Sequence, residues 1–383
     1  MTDGADKAEG VPLAFVTGAT GLLGNNLVRE LSAAGWRVRA LVRSPDKARQ
    51  QFGGLDVEIV RGDMLDVPGF AASLAEVSTV FHTAAYFRDS YKGGRHWDAL
   101  YAANVEGTRH LLDHAYRAGI RRFVHTSSIA VLHGARGAVI DETMLRDERD
   151  ADDYYRSKIL SDRVVLAFLD AHPDFRAVMV LPGWMHGPGD IGPTSAGQTV
   201  IDVALRRLPG VPPGSFSVVD ARDVARAMIL ADERGRRGER YLAAGRHMTM
   251  ADLLPLIAEA TGVPAPSRRI PLWLMHALAA GYEIYARLSG RPVLLSWAMA
   301  RTVATENERS RYDPAKSERE LGLHFRPVKE TLSDEVAWFR GSGLIPRCRT
   351  GRLGPASSPG GFRRGGATAG ARPIRPCAPE SQD

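Results

Sequence analysis

The sequence predicts a doubly wound α/β protein, a parallel sheet covered by helices on both faces, with a smaller C-terminal lobe for substrate. Three observations predict it. Short apolar runs alternate with helical patterns through the first half of the chain. A glycine-rich turn joins the first run to the first helix, and after about Gly183 prolines break the rhythm. The expected division is 11–183 for the sheet domain, with return segments near 215–245, then 184–345 for the substrate lobe.

The elements follow in order. Leu13–Thr17 is an apolar run that stops at glycine, and Leu22, Leu23, Leu27, Val28 and Leu31 then share one helical face. Gly35 closes that helix, and Val38–Val42 reads as the second strand. Val57–Val60, Thr79–His82, Phe123–Thr126 and Ala177–Leu181 are further strands with helical segments between them. Such an alternation requires crossover connections and therefore a parallel sheet. Val178-Met179-Val180-Leu181 has the continuous apolar character of a strand buried on both faces. In the second lobe, Ala251–Thr261 and Leu272–Arg287 read as helices, the latter amphipathic and expected to pack in that lobe's core, while Val218–Ala231 could return to the first domain.

Composition sets limits on function. Over 383 residues, 44% are hydrophobic and 25% charged, which excludes a mainly disordered chain or a collagen-like fibre. The net charge is +6, but seven arginines against two acids after Pro346 put +5 of it in the last 37 residues. The body is nearly neutral, so the charge argues against a nucleic-acid face. Both cysteines, Cys348 and Cys377, lie in the same tail, leaving the body without a disulfide or cysteine metal cluster. The tail, 347–383, is rich in Gly, Arg and Pro and reads as disordered; a frame-shifted extension would look the same. No apolar segment is long enough for stable membrane insertion and no signal peptide is evident, so a cytoplasmic protein is expected. His125, His133 and His186 lack ligand spacing, so no metal is assigned.

Thr17-Gly18-Ala19-Thr20-Gly21-Leu22-Leu23-Gly24 spaces its glycines for a tight turn, close approach to a pyrophosphate and close helix–strand packing. The helix that follows would present free N–H groups and its positive dipole end to phosphates. NAD sites usually carry an acid at the end of the second strand, but here the chain reads Val42-Arg43-Ser44-Pro45, with Lys47 one turn on. A guanidinium suits a 2′-phosphate that a carboxylate would repel, so NADP is expected, with NAD as the alternative. Asp63, followed by Met64, ends the third strand where an acid could accept a hydrogen bond from the adenine amine.

Asp152 and Asp153 are placed to cap a helix on which Tyr154 and Lys158 stand four residues apart, on one face. An adjacent ammonium is expected to lower the phenol toward neutral pH. Ser127-Ser128 follows the fifth strand and offers a hydroxyl that could polarise a carbonyl. Tyr155 is the neighbouring phenol, but only Tyr154 has Lys four residues on.

Together these motifs resemble the extended short-chain dehydrogenase/reductases, the NAD-dependent epimerase/dehydratase superfamily, over about residues 11–345. The matching motifs come in the family's order: Thr17–Gly24, Gly62-Asp63, His82-Thr83-Ala84-Ala85, Asn104–Thr108, Thr126-Ser127-Ser128, Tyr154/Lys158 and Gly187–Asp190. The resemblance implies a Rossmann fold, with Tyr154 as general acid/base and Lys158 binding the nicotinamide ribose. It implies that Ser128 orients the substrate oxygen, that His82 and Thr83, Ala84 and Ala85 line the cofactor, and that Asn104 supports the site. Gly18, Thr20, Gly21, Leu22 and Gly24 would hold the pyrophosphate.

Within the superfamily the chain is most similar to dihydroflavonol-4-reductase-like and hydroxysteroid-dehydrogenase-like reductases. Leu181-Pro182-Gly183 resembles their nicotinamide contact through Pro182, and Trp184 stands where sugar-nucleotide enzymes carry an Asn. Tyr86 and Trp184 are the substrate candidates, and Tyr86–Arg88 with the Asp89–Trp97 stretch would form a loop near the nicotinamide. The expected function is an NADP-dependent oxidoreductase acting on a small-molecule ketone, aldehyde or secondary alcohol. The alternatives are an NAD-dependent nucleotide-sugar epimerase/dehydratase and a non-catalytic NADP sensor. A homodimer is common among such proteins.

Overall fold

The computed structural model describes residues 10–87, 96–289 and 304–346. Arg88, most of the Asp89–Trp97 stretch and the tail 347–383 lie outside the described residues. The chain begins with β1 (Leu13–Thr17), α1 (Leu22–Ala33), β2 (Arg37–Val42), α2 (Pro45–Gln51), β3 (Val57–Arg61) and β4 (Thr79–His82). After the gap come α3 (Trp97–Leu100), a π-helical turn Tyr101–Glu106, α4 (Gly107–Arg117), β5 (Arg122–Thr126), α5 (Asp153–Ala171) and β6 (Arg176–Pro182). The second half holds β7 (Trp184–His186), α6 (Ser195–Ala204), β8 (Ser215–Asp220), α7 (Ala221–Arg234), β9 (Arg240–Ala243), β10 (Arg246–Thr249), α8 (Met250–Thr261) and α9 (Leu272–Ser289). Helices Ala315–Leu321 and Val328–Gly341 follow.

Seven strands form one parallel sheet in the order β3-β2-β1-β4-β5-β6-β9. The winding reverses between β1 and β4, and at such a switch point the strands' carboxyl ends leave a crevice for ligand. Leu27, Val28 and Leu31 of α1 pack with Val224, Met228 and Ala231 of α7 on one face. Leu111 and Leu112 of α4 and Val165, Phe168 and Leu169 of α5 cover the other. Each buried Val, Leu, Met or Phe among these contributes about 1.5–3 kcal/mol of burial free energy. Helices on both faces of a parallel sheet make this the doubly wound Rossmann architecture that the sequence predicts.

The chain's return is more divided than the apolar runs suggest. The strand part of the Val218–Ala231 stretch, β8, belongs to a second sheet of order β10-β8-β7, whereas α7 goes back to cover the first sheet. β9 then joins the first sheet beside β6, with Leu181 opposite Leu242. Gly183 joins the two sheets, and a Cβ there would lie 2.5 Å from the carbonyl oxygens of both Ala244 and Ser217. A third core, of Val200, Leu253, Leu254, Ile257, Leu332 and Phe339, supports the small sheet. Among the described side chains of α9, Met275 and Ala279 form a small cluster with Ile270 apart from that core, while Leu272 and Trp273 are exposed. No helix among the described residues is long and apolar enough to cross a membrane.

At the strands' amino ends, away from the switch-point crevice, Asp232 ties three strands together. Its buried carboxylate accepts from Arg122 Nε and Nη2 at 3.0 and 2.7 Å and from Thr79 Oγ1 at 3.3 Å. The main-chain carbonyl of Asp232 takes Arg176 Nη1 at 2.7 Å. Burial raises the Asp232 carboxyl, and Arg122 opposes that rise. Asp232→Ala is expected to cost about 2 kcal/mol, because Thr79 and Arg122 lose their carboxylate acceptor while Arg176 keeps the main-chain carbonyl. Urea denaturation measures it, and an unchanged midpoint would show that water replaces the carboxylate without loss.

Candidate active site

At the crevice between β1 and β4 the glycine turn is shaped by close backbone approach. Gly18 has φ +64°, and a Cβ there would lie 2.7 Å from the Ala84 nitrogen. At Gly24 a Cβ would overlap the Gly18 carbonyl oxygen and lie 2.8 Å from Ala19 Cα. Gly21 occupies the N-cap of α1 and donates its N–H to Gly18 O at 2.9 Å; no side chain caps the helix. Thr20 is half-buried and Leu22 is buried under the helix start. A cradle in which no Cβ fits, opening a helix without a side-chain cap, suits the pyrophosphate of a dinucleotide.

The crevice's two sides are tied by Thr17. Its hydroxyl accepts the N–H groups of Thr83 and Ala84, both at 3.1 Å, and therefore donates its own proton to His82 Nδ1 at 2.8 Å. His82 Nε2 then donates to Thr108 Oγ1 at 3.0 Å. Burial holds the His82 imidazole well below its ordinary range, which agrees with this neutral ring. The His82 side chain thus points into the core and anchors the Thr17–Ala84 contact rather than lining the crevice. Thr83 and Ala84 are half-buried and Ala85 is exposed at the strand end.

Arg43, just beyond β2, and Lys47 in α2 are both exposed. Asp63, beyond β3, is half-buried, and its Oδ1 accepts from Leu65 N at 3.1 Å. Met64 is buried against Gly107, where a Cβ would come 2.8 Å from the Met64 carbonyl oxygen.

Asn104 lies in the π-helical turn, a distortion that re-aims a side chain out of the regular helix. Its Oδ1 accepts from Tyr86 N at 2.7 Å, and its Nδ2 donates to Tyr86 O at 3.2 Å and Ser157 Oγ at 3.0 Å. It thereby fastens the loop after β4 to α5.

α5 starts where expected, with Asp152 Oδ1 accepting from Tyr155 N at 2.8 Å. The Ser128 hydroxyl is the polar side chain beside the Tyr154 phenol that opposes its rise, and the Tyr154 ring meets Phe87 edge-on at 4.9 Å. Ser128 Oγ accepts from Ala130 N at 3.1 Å, which fixes the hydroxyl at the end of β5. Tyr155 turns elsewhere: Arg146 lies 4.8 Å over its ring and is itself paired with Glu306 at 2.9 Å. The two adjacent phenols are therefore distinguished by geometry as well as spacing.

Electrostatics correct one expectation. Burial raises the Tyr154 phenol, with the Ser128 hydroxyl opposing the rise, so it is not lowered toward neutrality. Lys158 Nζ donates to Thr126 O at 2.6 Å, and burial brings its ammonium down to about 8. Pro182 is buried at the end of β6. Trp184 stacks on Phe216 at 4.3 Å, and its Nε1 donates to Ser195 Oγ at 3.0 Å, so the indole braces the small sheet against α6. Tyr86 is half-buried, its hydroxyl 3.2 Å from His96 Nδ1. No group of three or more His, Cys, Asp or Glu suited to a metal occurs among the described residues.

A model of the NAD dependent epimerase/dehydratase family matches residues 14–244, more than half of the chain. The chain belongs to this family, among the extended short-chain dehydrogenases/reductases. It is a nicotinamide-cofactor oxidoreductase of that family. It is similar to the sterol demethylase protein B of Methylococcus capsulatus, 38% identical across 86% of this chain and 99% of that one. A putative dihydroflavonol 4-reductase of Synechocystis is 33% identical across 86% of this chain and 95% of its own length. Among solved structures, a nucleoside-diphosphate-sugar epimerase from Pseudomonas aeruginosa is 26% identical, with a TM-score of 0.69 over 87% of this chain and 99% of its own.

What the motifs left unread is mostly buried. The Thr17–His82–Thr108 chain and the Asn104–Ser157 link join residues far apart in sequence. The family order of His82, Asn104 and Thr108 flagged them, but their partners needed the fold.

Proposed function

We propose that this dehydrogenase/reductase is an NADP(H)-dependent enzyme of one-way hydride transfer between nicotinamide and a ketone, aldehyde or secondary alcohol. The observation that carries the reading is the Ser128–Tyr154 hydroxyl pair at the carboxyl end of the sheet, with Lys158 one helical turn away. When bound, the nicotinamide supplies or accepts the hydride. Ser128 and Tyr154 hold the substrate oxygen, and the Tyr154 hydroxyl gives its proton to that oxygen as the carbonyl carbon is reduced. Lys158 holds the nicotinamide ribose. Asn104, through Ser157 and the loop carrying Tyr86, keeps the first turn of α5 in register with the crevice.

Gly18, Thr20, Gly21, Leu22 and Gly24 cradle the pyrophosphate, Asp63 and Met64 bound the adenine, and Thr83, Ala84, Ala85 and Pro182 border the nicotinamide side. Residues 184–345 mainly form the substrate-binding lobe, apart from α7 and β9, which return to the 11–183 nucleotide domain, with Tyr86 and Trp184 toward the substrate. The preference for NADP rests on Arg43 and Lys47, exposed cations beside β2 at a position where an acid would select NAD. Arg43→Ala is expected to weaken NADPH binding about tenfold and leave NADH binding unchanged, since a charge-assisted phosphate contact is lost. Fluorescence titration with both nucleotides measures this, and equal loss for both would remove the phosphate-clamp reading.

The likeness to a nucleoside-diphosphate-sugar epimerase supports a second reading, in which the hydride is returned to the same substrate. The nucleotide that co-purifies distinguishes them: retained NAD favours the epimerase, whereas an exchangeable site that prefers NADPH favours the reductase.

A further inference from the structure

Ser128 is held from behind by a buried arginine that neither hydride nor proton transfer uses. The serine caps the short turn Ile129–Val131, and its Oγ accepts from Ala130 N at 3.1 Å. The carbonyl of that same Ala130 accepts Arg146 Nε at 2.8 Å. Arg146 Nη1 and Nη2 then grip the two carboxylate oxygens of Glu306 at 3.1 and 2.9 Å. The arginine side chain is 3% exposed and that of Glu306 19%. One guanidinium therefore joins the turn beside Ser128 to a residue 160 positions further along the chain than itself.

The segment that carries Glu306 is fastened on two sides. Ile140 N donates to Arg311 O at 2.8 Å, and Asp313 N donates to Ile140 O at 2.9 Å, so the chain leading to Arg146 runs beside it. On the other side, Ser215 Oγ at the start of β8 accepts from Glu308 N at 3.2 Å and from Ser310 Oγ at 2.7 Å. A continuous line of hydrogen bonds thus runs from the small sheet through Glu306, Arg146 and Ala130 to Ser128. The planar guanidinium suits this junction, because its fork serves a carbonyl and both oxygens of a carboxylate at once. Stability alone does not account for the pair, since apolar side chains of similar volume often replace a buried ion pair without loss.

Resting on the reading of Ser128 and Tyr154 above, we propose that Arg146 is a positioning residue: anchored by Glu306, it sets the Ser128 hydroxyl toward the substrate oxygen by holding Ala130 in place. A serine hydroxyl has three staggered positions to choose from. The Ala130 N–H selects one of them, and that N–H is aimed only as long as residue 130 is held. Arg146→Met keeps the apolar stem and loses the fork. Arg146→Lys keeps the charge, but a single ammonium cannot span the carbonyl and both carboxylate oxygens.

Hydrogen–deuterium exchange of the whole protein, read peptide by peptide, tests the grip without substrate or cofactor. In Arg146→Met the peptides covering 128–132 are expected to exchange about tenfold faster, while those of β4 and β6 stay unchanged. NADPH oxidation with benzaldehyde as the carbonyl probe then tests what the grip is for. Arg146→Met should lower kcat about tenfold and leave KM for NADPH unchanged, with Arg146→Lys between the two proteins. In a Ser128→Ala background the same substitution should have no further effect, because the hydroxyl it positions is gone. A general loss of stability would lower turnover equally in both backgrounds. That result, or unchanged exchange at 128–132, overturns the proposal. Should Arg146→Met not fold, Arg146→Lys keeps the counter-charge for Glu306 and gives the same two comparisons. The exchange readout needs no active site, so its failure is separate from that of the active-site reading, which Tyr154→Phe tests by turnover.

Discussion

Tyr154→Phe is expected to lower turnover about a thousandfold while changing NADPH affinity less than about threefold, the scale of a lost general acid/base. The substitution removes one hydroxyl and keeps the ring that Phe87 packs against, so the fold of the first turn of α5 should persist. Ser128 keeps its contact with Ala130 N and still offers a hydrogen bond to a carbonyl, but without a proton donor beside it. Stopped-flow reduction and fluorescence titration separate the two effects, and wild-type turnover in the variant would end the assignment of Tyr154. The direction of the phenol's shift adds a sign. Because burial raises it, Tyr154 carries its proton at neutral pH, as carbonyl reduction requires. Alcohol oxidation needs the phenolate, so its rate should climb with pH through the alkaline range while reduction stays favoured near neutrality.

That sign could not be read from the sequence. The spacing of Tyr154 and Lys158 places both on one helical face, and that alone predicts an ammonium beside the phenol. Spacing says nothing of where a flexible four-carbon stem goes, and Lys158 reaches across to the Thr126 carbonyl on β5. His82 is a similar case. Its place at the end of an apolar strand was legible, yet its inward rotation depends on Thr17 of β1 and Thr108 of α4, sixty-five and twenty-six residues away. By contrast, the six apolar strands were legible from short apolar runs bounded by turns, most plainly in β1, β4 and β6, where all or nearly all residues are buried. β9 was not, since Arg240-Tyr241-Leu242-Ala243 is short and carries a charge at its start, where it meets Asp162. β8 reads as well as any strand but lies in the second sheet, and no local pattern states which sheet a strand will join.

The glycine turn is the part of the site for which sequence and geometry agree most closely, and Gly24→Ala should have the second largest effect. The added methyl would meet the Gly18 carbonyl oxygen and the Ala19 Cα at 2.8 Å, and both are backbone atoms with no rotamer to yield. Relief requires α1 to move away from β1, which overpacking data put at about 1–3 kcal/mol. That motion also carries the helix's free N–H groups away from the phosphates, so NADPH affinity is expected to fall about a hundredfold, equivalent to about 2.7 kcal/mol. Gly35→Ala provides the control. Gly35 has φ +82°, but a Cβ there meets nothing within 4 Å. Its substitution costs only backbone strain, about 1 kcal/mol, and should leave nucleotide affinity unchanged. Calorimetric melting and NADPH titration of the two variants together separate loss of stability from loss of the cradle. A fall in affinity of the same size in both would mean that the turn responds to general destabilisation; loss confined to Gly24→Ala would mean that close backbone approach is what seats the phosphates.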